Sequence, residues 1–399
     1  MVTPTPLQPS DRLSAVTGAQ VYLKREDLQT VRSYKLRGAY NLLVQLSDAE
    51  LAAGVVCASA GNHAQGFAYA CRTLGVRGRV YVPATTPKQK RDRIRYHGGE
   101  FIELIVGGSS YDLAAEAALD DVQRTGATLV PPYDDPRTIA GQGTIAVEVL
   151  DQLDNEPDLV VVPVGGGGCI AGITTYLAER TANTAVRGVE PAGAAAMMAA
   201  LVAGEPVTLD HVDQFVDGAA VRRAGSLTYA ALAAAGDMVS ITAVDEGAVC
   251  TAMLDLYQNE GIIAEPAGAL SVAGLLDAEV EPGSTVVCLI SGGNNDVSRY
   301  GEVLERSLIH LGLKHYFLVD FPQEPGALRR FLHEVLGPND DITLFEYVKR
   351  NNRDTGEALV GIQLGSSADL DVLLARMRAT EMHVEALEPG SPAYRYLVL

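Results

Sequence analysis

Basic charge is scarce in this chain. Thirty-one lysines and arginines stand against 50 aspartates and glutamates over 399 residues, a net formal charge of −19. That balance argues against nucleic acid as a partner, because its phosphates need a basic surface. Paired cysteines are absent too. Cys57, Cys71, Cys169, Cys250 and Cys288 are scattered with no C-x-x-C, which reads as reduced thiols in a cytoplasmic protein and not as a disulfide framework or a zinc site. No stretch offers about 18 uninterrupted apolar residues, so no membrane span is expected. The opening "MVTPTPLQPSDRLS" has no basic segment leading into an apolar run, so no secretory signal is expected either. What is there is globular in composition, 47% hydrophobic and 20% charged, and long enough for two or three domains.

From residue 50 to about 315, short apolar runs alternate with alanine-rich helical stretches. "GVVCAS" (54–59), "RGRVYVP" (77–83), "EFIELIV" (100–106), "DLVVVPV" (158–164), "AVRGVE" (185–190) and "STVVCLIS" (284–291) read as strands buried on both faces. Between them, "NHAQGFAYACRTLG" and "GSSYDLAAEAALDDVQRTG" place apolar residues at i, i+3 and i+4 and close on glycine, as helices do. The alternation implies an α/β fold with parallel sheets flanked by helices, whose ligands sit at the carboxyl ends of strands. Beyond about 315 the order becomes β-α-β-β-α-β, from "KHYFLVDFP" to "HVEAL", an α+β ferredoxin-like module of the kind that hosts ligand sensors.

"VVPVGGGGCIAG" (161–172) is a strand, four glycines and a helix start. Converging backbone N–H groups at a helix N-terminus suit an anion. One candidate is a dinucleotide, since Gly166, Gly168 and Ala171 fit G-x-G-x-x-A with Glu190 near the ribose position, but the run lies mid-chain and leaves other motifs without a role. "SAGNHAQG" (59–66), "EPAGA" (265–269) and "SGGNND" (291–296) also put small polar groups at strand ends or helix starts around one phosphate-type cradle. An amine able to reach a carbonyl would complete a site for pyridoxal phosphate.

In their order along the chain, "KREDLQTVRSYKLRGA" (24–39), "SAGNHAQG", "IAGQGT" (139–144), "VPVGGGG", "GVEP" (188–191), "EPAGA" and "SGGN" resemble the fold-type II pyridoxal-phosphate enzymes, and among them the biosynthetic threonine dehydratases of the short form. The C-terminal segment from "FPQEPGALRRFL" onward resembles a single ACT-like regulatory domain. The resemblance implies a two-subdomain catalytic part over 1–314, with a small subdomain at about 40–137, and a regulatory domain over 315–399. It makes Lys35 both the covalent anchor of the cofactor and the base that takes the substrate Cα proton. Tyr34, at a usual phenylalanine position, packs on the cofactor ring. Gly165, Gly166, Gly167, Gly168 and the Cys169 amide cradle the phosphate, Asn62 bonds the ring oxygen, and Ser291 the ring nitrogen. Gly218 packs on the ring face and Glu265 lines the cofactor site. Ser59, Ala60, Gly61, Asn62 and His63 hold the substrate carboxylate.

The implied reaction turns L-threonine into 2-oxobutyrate and ammonia, the first committed step of isoleucine biosynthesis, with L-serine as a secondary substrate. Isoleucine as feedback effector, valine as its antagonist, and a homo-oligomer, tetramer over dimer, follow from the same resemblance. Ala60 stands where serine racemases carry a serine, so elimination should dominate over racemisation. Glu190 matches one ligand of their divalent site, but Ala196 replaces the other, so no tight divalent metal site is expected. Arg32 and Arg37 read as ordinary flanking charges. A β-replacement enzyme, a non-catalytic amino-acid sensor and a nicotinamide-dependent oxidoreductase are the rival readings.

Overall fold

β-Branched runs bounded by glycine and proline become strands here because both of their faces can be covered by helices. The computed structural model describes residues 2–347, 354–388, 391 and 394. By contact they form two compact units, Met1–Asp296 and Val297–Leu399.

The first unit holds two sheets. One has six strands in the order Leu7–Pro9, Gln20–Arg25, Thr285–Ile290, Leu159–Pro163, Ala185–Pro191 and Val239–Val244. All its pairings are parallel except the first. The other has four parallel strands in the order Ile102–Val106, Gly78–Val82, Val55–Ala58 and Thr128–Leu129. All six expected strands form. Ile102–Val106 is an edge strand, however, with no buried residue in it, and so is not covered on both faces as its apolar sequence implied. The two expected helices are Asn62–Leu74 and Tyr111–Thr125, each closed by a left-handed glycine, Gly75 at φ 70° and Gly126 at φ 73°. Each sheet has its own apolar core, one centred on Phe67, Val80 and Ile94 and the other on Val162, Ile170 and Leu289.

In the second unit, Lys314–Pro322, Asp341–Tyr347, Thr355–Gln363 and His383–Ala386 form one antiparallel sheet. The first and third of these strands lie in its middle, and helices Ala327–Glu334 and Leu370–Ala379 supply the two helical positions of the ferredoxin-like order. Phe317, Phe321, Phe331 and Val360 fill its core. The last three residues of the strand expected over 341–350 lie outside the described residues. Helix Tyr300–His310 belongs to this unit as well.

Candidate active site

The carboxyl ends of three strands bring most of the named residues together. Val55–Ala58 runs into Ser59–His63, Leu159–Pro163 into the glycine turn, and Thr285–Ile290 into Ser291. Lys35 is the first residue of helix Lys35–Leu43. Its Nζ donates to the Pro132 carbonyl at 3.1 Å and stands 5.2 Å from the centre of the Tyr34 ring. Burial lowers its pKa to about 8 against the opposing pull of Cys169 and Glu265. Tyr34 is tied to the strand end, its N–H donating to the Ser291 carbonyl at 3.2 Å.

The four glycines are packed on every side. A Cβ on Gly165 would come within 2.9 Å of Ala219, one on Gly166 within 2.4 Å of the Tyr133 ring, and one on Gly168 within 2.8 Å of Tyr133. Gly167 has φ +90° and caps helix Gly168–Arg180 without a side chain. The first N–H groups of a helix have no partner within it, so this turn offers donors that no side-chain cap consumes. From behind, the Gly166 carbonyl accepts from Thr228 Oγ1 at 2.7 Å. Buried Cys169 has its thiol pKa pushed up by burial and remains a thiol.

Asn62 is oriented from both ends. Its Nδ2 donates to Glu265 Oε1 at 2.5 Å, and its Oδ1 accepts from Asn294 Nδ2 at 2.8 Å. One amide hydrogen of Asn62 is left for a ligand. Glu265 is buried, and burial, reinforced by Asp217, raises its pKa to about 7 while the Asn62 bond opposes the rise. Gly218 lies 3.9 Å from the same carboxyl by its would-be Cβ and 2.8 Å from Ala267. Ser291 Oγ is buried and donates to the Ala267 carbonyl at 3.2 Å. In the Ser59–His63 loop, Ser59 Oγ accepts from Gly61 N at 3.2 Å, and a Cβ on Gly61 would stand in open space beside Ala60 and Asn62. His63 is buried, its Nε2 2.8 Å from the Val130 carbonyl, and burial, then Lys35, bring its pKa down to about 4. A neutral imidazole follows at ordinary pH.

Three buried polar atoms in this region have no protein partner: Ser33 Oγ, His63 Nδ1 and Asn294 Oδ1. The sequence motif "SGGNND" contains Asn294 but gave it no role, and the 130–135 segment, "VPPYDD", shortly before "IAGQGT", carried no expectation at all. One expectation is corrected: Arg37 is buried in an ion cluster and is not an ordinary flanking charge. Arg32 sits at φ +57°, the one non-glycine residue with positive φ among the described residues. Glu190 is fully buried and accepts from the N–H groups of Met197 at 2.7 Å and Met198 at 2.8 Å. Those bonds set Glu190 at a helix start, and with its full burial they place the carboxylate away from any open ribose position, which argues against the dinucleotide reading.

Comparison with known proteins agrees with this geometry. Residues 1–292 match the family model described as pyridoxal-phosphate dependent enzyme, and residues 305–397 that of the C-terminal regulatory domain of threonine dehydratase. The chain is 90% identical to the biosynthetic L-threonine dehydratase of Mycobacterium bovis, over all of this chain and 93% of that protein. It is 49% identical to the enzyme of the same description in Bacillus subtilis, over all of this chain and 94% of that one. Among solved structures, the processed threonine deaminase isoform 2 of Solanum lycopersicum superposes with a TM-score of 0.72 at 38% identity, covering 77% of this chain and 88% of that one.

Proposed function

The chain belongs to the biosynthetic threonine dehydratases, lyases of the pyridoxal-phosphate dependent family, and from that premise we propose how its own residues carry the reaction. The residues present fit the cofactor: a partly buried amine of lowered pKa, a glycine turn at a helix start, an asparagine with one amide hydrogen to give, and a hydroxyl at a strand end. When bound, pyridoxal phosphate supplies an aldehyde for an amine to join and an electron-withdrawing ring that makes the substrate Cα proton acidic.

Lys35 anchors the cofactor and then, freed, takes that proton. A lysine with a pKa near 10.5 would be protonated and useless as a base, whereas one at about 8 is neutral in about one molecule in ten at pH 7. The Pro132 carbonyl holds Nζ without quenching it, since a neutral acceptor stabilises the ammonium less than a carboxylate would. Gly165 to Gly168 and the Cys169 amide hold the phosphate, and Tyr34 and Gly218 flank the ring. Asn62, kept in place by Glu265 and Asn294, meets the ring oxygen. Ser291, its hydroxyl turned from the Ala267 carbonyl, would meet the ring nitrogen as a donor where a carboxylate would protonate it, leaving it largely unprotonated. That favours loss of the β-hydroxyl over transamination. Ser59, Ala60, Gly61, Asn62 and His63 receive the substrate carboxylate.

The observation that carries this reading is the Lys35 amine, half-buried among Pro132, Cys169, Glu265 and His63. On this reading residues 1–314 are the catalytic part, with about 40–137 as its small subdomain, and 315–399 the regulatory part. Through that part isoleucine lowers activity and valine opposes it. Serine is a secondary substrate, because it shares the leaving hydroxyl and lacks one methyl. The working form is a homo-oligomer, tetramer over dimer, in the cytoplasm. Release of 2-oxobutyrate from threonine, pyruvate release from serine, and the response of both to isoleucine test these points together. Faster turnover of serine, or no response to isoleucine or valine, would refute the finer assignments. Absence of threonine turnover by the cofactor-loaded chain would refute the whole.

A further inference from the structure

Two residues beyond Lys35 lies a buried cluster whose side-chain hydrogen bonds and ion pairs include none of the cofactor residues and none of the substrate loop. Arg37 uses all five of its N–H hydrogens there. Its Nε donates to Glu26 Oε2 at 2.8 Å and its Nη2 to Glu26 Oε1 at 2.7 Å and Glu148 Oε2 at 2.8 Å. Its Nη1 donates to Glu148 Oε1 at 2.6 Å and Thr144 Oγ1 at 3.0 Å. Lys24, fully buried, spends its three hydrogens on Glu148 Oε2 at 2.6 Å, the Thr5 carbonyl at 2.7 Å and Gln152 Oε1 at 2.9 Å. Glu26, also fully buried, accepts from Thr5 Oγ1 at 2.5 Å. Two cations and two carboxylates thus balance.

Stability is a poor reason for such a cluster, since burying ions costs about as much as their pairing returns, and apolar side chains would serve as well. Fixed geometry is a better one. Helix Lys35–Leu43 starts at Lys35 itself, and its N-cap, Tyr34, makes no side-chain capping bond. Its first turn is held from Arg37 instead. Glu148 lies on helix Pro136–Gln152, which is capped by Asp135 at the end of the segment whose Pro132 carbonyl receives the Lys35 amine. The two helices approach closely: a Cβ on Gly141 would come within 2.6 Å of the Arg37 carbonyl, and Gly38 N donates to the Gln142 side chain, at Oε1, at 3.1 Å. Arg37, Glu148, that helix, Pro132 and Lys35 therefore form one closed loop of contacts.

We propose that Arg37, forked between Glu26 and Glu148, is a positioning residue that sets where the Lys35 amine stands against the 130–135 segment. The inference rests on the assignment of Lys35 above. The test uses the full cofactor-loaded chain with Arg37→Lys, which keeps the charge and loses the fork, and Glu148→Gln, which keeps the shape and loses one charge. Threonine KM should change less than about threefold while kcat falls about 10- to 100-fold, the scale of a slightly misplaced reacting group. The pH midpoint of the cofactor's absorbance band should move by about half a unit or more, because the surroundings of the amine have changed. A lower melting temperature with kcat and the spectral midpoint unchanged would overturn the proposal, leaving the cluster a purely structural device. Failure of both variants to fold would overturn it equally. Wild-type chain showing no cofactor band would instead remove the assignment of Lys35, and this inference with it.

Discussion

Replacing Glu265 by glutamine should change how stability depends on pH, in a direction that the site fixes. Glu265 is 6% exposed, and burial raises its pKa from 4.5 to about 7. Between those values the folded chain binds a proton that the unfolded chain does not. The contribution of this carboxyl is therefore fully present below pH 4.5 and is lost as pH rises through about 7. At about 1.4 kcal/mol for each tenfold change in proton affinity, the loss by pH 8 is on the order of 3 kcal/mol. Glu265→Gln keeps an acceptor for Asn62 Nδ2 and cannot ionise, so it should escape that loss. Glu190, also raised to about 7 by burial, gives the same sign in both proteins, and His63, lowered to about 4, titrates alike in both. Urea unfolding followed by circular dichroism at pH 5 and pH 8 isolates the difference. The variant should gain on the order of 3 kcal/mol over the wild type between the two pH values. A gain below about 1 kcal/mol would mean that Glu265 is not held in the desolvated state described.

Two further outcomes rest on the same geometry. Gly166→Ala drives a methyl group into the Tyr133 ring; it should cost about 1–3 kcal/mol of stability and weaken cofactor affinity more than tenfold in a titration, and unchanged affinity would detach the turn from the phosphate. Because burial brings Lys35 to about 8, kcat for threonine should rise with pH from 6 and level off above that value, and a rate that falls across this range would contradict a lysine base.

The parts of the site that were legible in the sequence are those written in contiguous residues. A strand end, a glycine run and a helix start stand side by side in "VVPVGGGGCIAG", and "SAGNHAQG" likewise holds its turn and its helix in eight residues. Lys24, Arg25, Glu26 and Asp27 are the opposite case: four successive charges carry no local mark of burial, yet all four are buried, and Gln20–Arg25 is an interior strand of the six-stranded sheet. The burial of Lys24 depends on Glu148, more than a hundred residues away, and that of Glu26 on Arg37, which Glu148 also holds; no local pattern encodes those pairings. Tyr133 escaped for the same reason, since only the fold lays its ring against Gly166 and Gly168. The edge position of Ile102–Val106 is likewise a property of sheet order and not of its apolar sequence.

The assignment of Lys35 is tested most directly by Lys35→Ala in the full chain with pyridoxal phosphate supplied. The variant should fold and show no absorbance band near the visible edge, nothing for borohydride to bleach, and no 2-oxobutyrate from threonine. Retained threonine turnover in that variant would contradict it.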